Sequence, residues 1–72
     1  MRLLNDFAPE PSPVVTGVLY AYSDRRNGWY CYAHNEAGDQ IGDAIYMYQK
    51  ADVLSSAREL AAEHGSVPVV RG

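Results

Sequence analysis

The sequence predicts a two-layer α+β domain: an antiparallel three-stranded meander, then one helix and a short C-terminal edge strand (β-β-β-α-β). Three observations predict it. Between Val14 and Gln49, three segments rich in β-branched and aromatic residues are separated by two polar turns that contain glycine. From Lys50 the apolar residues change to helical spacing. After Gly65 a short apolar run closes the chain, interrupted by Pro68.

Residues 1–14 read as a proline-rich N-terminal arm, and residues 15–72 as a single domain. Pro9, Pro11 and Pro13 alternate with Glu10 and Ser12, a pattern that favours an extended path and opposes helix. The first strand is expected in VVTGVLYAYS, and DRRNG is a turn ending in Asn27 and Gly28. WYCYAH is the second strand and NEAGDQ the second turn. IGDAIYMYQ is the third strand, where Gly42 and Asp43 weaken the start and mark a bulge.

In KADVLSSARELAAEHG the apolar residues Val53, Leu54, Ala57, Leu60 and Ala61 lie on one helical face. Asp52 is a reasonable N-cap, with a start one turn earlier also open, and Gly65 suits the left-handed position after the helix. Pro68 cannot donate to a ladder, so the closing strand belongs at a sheet edge. The expected sheet order is 3-2-1-4, with the fourth strand parallel to the first across a right-handed connection.

All six tyrosines fall in the triplets YAY, YCY and YMY. Strand residues two apart share a face, so each triplet sets both rings on one side of its strand. Pairing Tyr22 with Tyr30 and Tyr30 with Tyr48 places every turn residue in a turn. That register gathers Tyr20, Tyr22, Tyr30, Tyr32, Tyr46 and Tyr48 on one face. The other face then reads Ala21–Cys31–Met47 and Leu19–Ala33–Ile45, with Trp29 near the helix start. The helix stripe covers it, so the core is complete without the tyrosines.

A platform of six rings exceeds the patch that monomers usually leave bare, and tyrosine is enriched in binding hot spots. The six tyrosines, with Arg25 and Arg26 at the first turn, are the candidate partner-binding residues. Two plainer readings stand beside this. Tyrosine is a good strand former whose hydroxyl tolerates water, and an arm carrying Leu3, Leu4 and Phe7 could fold over the platform.

The segments GWYCYAH and ADVLSSARELAAEHGSVPVVRG are similar to the small bacterial domain-of-unknown-function 2188 family. The likeness covers roughly residues 17–72. It implies a β-β-β-α-β fold and a bacterial or phage origin, and it implies no activity.

Little in the chain suggests catalysis. Cys31 and His34 are three apart on one strand and so point to opposite faces. Cys31 reads as a small core residue, and His64 as a partner for the helix C-terminal dipole. Cys31, His34 and His64 lack metal-ligand spacing, and no phosphate loop or nucleophile elbow is present. No cofactor, metal or small-molecule substrate is therefore expected. Glu36, Asp39 and Asp43 form either a solvated acidic loop or a docking patch for a basic partner.

The chain has 72 residues, a net charge of −3 and a single cysteine. No apolar run could span a bilayer and no signal sequence is evident, so a reducing cytoplasm is the expected location. The expected function is a non-catalytic interaction module that binds a protein partner or itself as a homodimer. In size and charge it resembles phage-encoded inhibitors of host complexes, such as anti-CRISPR proteins. The alternative is a single-stranded nucleic-acid binder that stacks bases on the tyrosine face. Net negative charge weighs against that alternative.

Overall fold

A computed structural model describes residues 14–72. Its elements are β1 (Gly17–Ser23), β2 (Gly28–His34), β3 (Gln40–Met47), α1 (Lys50–Glu63) and β4 (Val69–Arg71). The strands form one sheet in the order β3-β2-β1-β4. β1 and β2 pair antiparallel, as do β2 and β3, whereas β4 runs parallel to β1. The β-β-β-α-β architecture and the position of the closing strand are as the sequence predicts. The expected arm lies outside the described residues, apart from Val14.

Local chemistry explains the boundaries. The Pro68 carbonyl accepts the Val18 amide at 2.9 Å, so proline contributes at the edge through the one backbone group it can offer. Gly42 has φ of +78°, and there the pairing shifts from Cys31↔Ile45 to Ala33↔Ile41. Two steps along β2 correspond to four along β3, which is the expected bulge. The helix begins at Lys50 with Gln49 as its N-cap, and Asp52 lies within the first turn rather than capping it. There its carboxylate opposes the positive end of the helix dipole. At the other end Gly65 turns left-handed, the Gly65 amide bonds Ala62 and the Ser66 amide bonds Ala61 at 2.8 Å. This is a Schellman stop.

α1 packs on one face of the sheet. Val18, Cys31, Val53, Ala57 and Ala61 form its closed centre. Ala57 and Ala61 allow the helix backbone to approach the strands closely. Tyr20, Trp29, Ile45, Met47, Leu60, Val67 and Val69 are partly buried around this centre.

The register of β1 differs from the expectation. Ser23 pairs with Gly28, so the turn consumes only Asp24–Asn27. Asn27 makes the shorter turn possible by adopting a left-handed φ of 54°. Its Oδ1 accepts the Tyr22 hydroxyl at 2.7 Å, and Ser23 Oγ accepts the Arg26 amide at 3.3 Å. Tyr22 therefore opposes Trp29 and Tyr20 opposes Cys31. A one-residue slip reverses the face of a whole strand. Tyr20 and Tyr22 consequently share the helix side with Val18, and Leu19 and Ala21 take the open side. β2 and β3 keep their expected faces. Tyr30 pairs with Tyr46 instead of Tyr48, a slip of two that preserves sidedness.

Candidate interaction surface

The single six-tyrosine platform is thus replaced by two aromatic groups. The first lies on the face opposite α1. Along β2, Tyr30 and Tyr32 are stacked, with centroids 6.2 Å apart and planes 5° apart. Tyr32 meets the His34 ring edge-on at 6.5 Å. Across the strand pair, Tyr46 lies 6.1 Å from Tyr30. The Arg26 guanidinium sits 4.2 Å above the Tyr46 ring, within cation–π range. Leu19 and Ala21 complete this face on β1, opposite Tyr32 and Tyr30. Among the described residues, no element covers it.

The second group lies on the helix side, at the sheet corner next to the start of α1. Tyr22 meets Trp29 edge-on at 5.4 Å, and Tyr20 is 6.3 Å from the same ring. Arg71 from β4 lies 5.4 Å from the Trp29 centroid and Lys50 from α1 lies 5.6 Å from it. Tyr48 stands just beyond β3 and is 78% exposed. Arg25 is exposed in the first turn. A groove runs between the two groups at this end, lined by Arg26, Trp29, Tyr46, Met47 and Tyr48 among others.

Sequence reasoning overlooked four participants. Trp29, Lys50 and Arg71 join the aromatic corner only through the β1 register and the place of β4. His34 extends the open face, and its Nδ1 lies 2.9 Å from the Asn35 carbonyl oxygen. The final Tyr-x-His of WYCYAH carries the signal for His34, because a residue two beyond Tyr32 must share its face.

Cys31 is fully buried, and this burial pushes its thiol above the ordinary value of 9.0. Such a group is poorly disposed to act as a nucleophile. Asn35, at the start of the second turn, is 2% exposed. Its Oδ1 accepts the Ala37 amide at 3.0 Å and the Asp39 amide at 2.9 Å, so its side chain builds the second turn from inside. Among the described residues, no three His, Cys, Asp or Glu side chains are grouped to hold a metal ion, and no helix is long and apolar enough to cross a membrane.

No family model, curated protein or solved structure matches this chain.

Proposed function

We propose that this chain is a non-catalytic interaction module that binds a protein partner through the sheet face opposite α1. The observation that carries the reading is the continuous row of Tyr30, Tyr32 and His34, flanked by Tyr46 and Arg26, with no described element packed over it. Tyrosine and arginine are the residue types that concentrate binding energy in protein interfaces. Contacts between neighbouring rings restrain them before docking, which lowers the side-chain entropy lost on binding. The partner is either another protein or a second copy of the chain, and both use the same surface.

Tyr32 is the residue to test, since it lies between Tyr30 and His34 in the row. Tyr32→Ala is expected to melt cooperatively near the wild-type temperature. It should lose at least about 2 kcal/mol of association, either in sedimentation of the pure protein or in capture of a defined partner. A folded Tyr32→Ala protein that keeps every association would overturn the reading. A labelled oligo-dT that binds wild type and is released by Tyr32→Ala would replace it with nucleic-acid binding.

A further inference from the structure

The net charge of −3 conceals a strong separation along the strand axis. Four of the six Lys and Arg residues gather at one end: Arg25 and Arg26 in the β1–β2 turn, Lys50 at the start of α1 and Arg71 in β4. Asp24 and Asp52 are the acidic residues among them. At the opposite end lie Glu36 and Asp39 in the second turn and Glu63 in the last turn of α1, with Asp43 beside the bulge in the middle of β3. Among the described residues, none of the four cations is ion-paired; Arg26, Lys50 and Arg71 rest against aromatic rings instead.

We propose that this basic end docks an acidic segment of a partner protein, laid in the groove between Arg26, Trp29, Tyr46 and Tyr48. The proposal rests on the reading that the partner is a protein. A guanidinium stacked on a ring keeps its in-plane N–H groups free, and these match a carboxylate in a bidentate pair. The rings beneath shield one side of that pair from water. Nucleic acid is the competing polyanion, and two observations disfavour it. The ring surfaces that would stack bases are occupied in part by the protein's own cations, above Tyr46 and around Trp29. The remaining charge of the domain is negative and repels a long phosphate chain.

The test uses the full chain and a fluorescent peptide of alternating glutamate and leucine. Its controls are the same peptide with glutamine for glutamate and an oligo-dT of equal charge. The acidic peptide should bind, should release as salt is raised, and should shift the amide resonances of Gly28, Trp29 and Tyr48. Arg26→Gln combined with Arg71→Gln should weaken it at least about tenfold, whereas Tyr32→Ala should leave it within about twofold. Failure of the acidic peptide to bind, equal binding of the glutamine peptide, tighter binding of oligo-dT, or full binding by the double variant would each overturn the proposal. So would an equal loss in Tyr32→Ala, which would place the peptide on the open face. Conversely, a Tyr32→Ala protein that keeps all its protein associations, alongside peptide loss in the double variant, would refute the open-face reading and leave the basic end standing.

Discussion

Tyr22 stands directly opposite Trp29 on the neighbouring strand, with the two ring centroids 5.4 Å apart and the ring planes 69° to each other. This pair lies on the side of β1 that faces the helix. Trp29 is also the ring shared by Tyr20, Lys50 and Arg71.

Trp29→Ala should therefore be among the costliest single changes, at about 3 kcal/mol, because it leaves a cavity and strips four neighbours of their contact. Trp29→Phe should recover more than half of that loss. Chemical denaturation of the two variants measures the difference. Equal midpoints for wild type and Trp29→Ala would mean that the corner contributes nothing to the fold.

Gly17 is a site of close approach. A Cβ added there would lie 2.7 Å from Cε1 of His34, whose ring is tethered at 2.9 Å to the Asn35 carbonyl. Gly17→Ala should cost about 1–3 kcal/mol through overpacking. The penalty should shrink in a His34→Ala background, since the opposing ring is then gone. A double-mutant cycle with zero coupling would show that the two residues do not meet.

Asn35→Ala should destabilise by about 1–3 kcal/mol, because the Ala37 and Asp39 amides both lose their acceptor. Amide hydrogen exchange should accelerate at these two positions first. Unchanged protection at both would remove the side chain from its assigned place in the turn.

Cys31 gives the stability an alkaline slope. The folded state holds the thiol proton more tightly than the unfolded state does, because ionisation inside the core is penalised. Its stabilising contribution is complete below pH 9.0 and declines as pH rises above that value. Cys31→Ala should lower stability at neutral pH and flatten the decline above pH 9.0. Parallel pH profiles for wild type and variant would contradict this assignment.

The order of elements, the bulge and the helix stop were legible in the sequence because each has its own local chemistry: alternation, Gly42 and Gly65. The faces of β2 and β3 were legible as well, since Trp29, Cys31 and Ala33 on one side contrast with Tyr30, Tyr32 and His34 on the other. β1 was different. Val18, Leu19, Tyr20, Ala21 and Tyr22 are all apolar or aromatic, so alternation does not reveal which set turns inward. The choice fell to one turn residue, Asn27, whose left-handed backbone shortens the loop by one position. The aromatic corner was hidden for the same reason. It also needs Arg71, which reaches Trp29 only through the pairing of β4 with Tyr20.

That parallel pairing has a consequence for how the chain finds its fold. Val18 is partnered by Val69, across nearly the whole length of the domain. The two hairpins and the helix need only local loops to close, whereas β4 must wait until α1 has crossed the sheet. Closing so long a loop costs entropy before it returns any contact, so docking of β4 is expected late in refolding. Until then β1 is a bare edge, with Val18 and Leu19 open to a neighbouring chain. Dilute refolding should proceed cleanly, while crowded refolding should lose material to aggregation in that interval, although the finished domain has β1 paired on both sides.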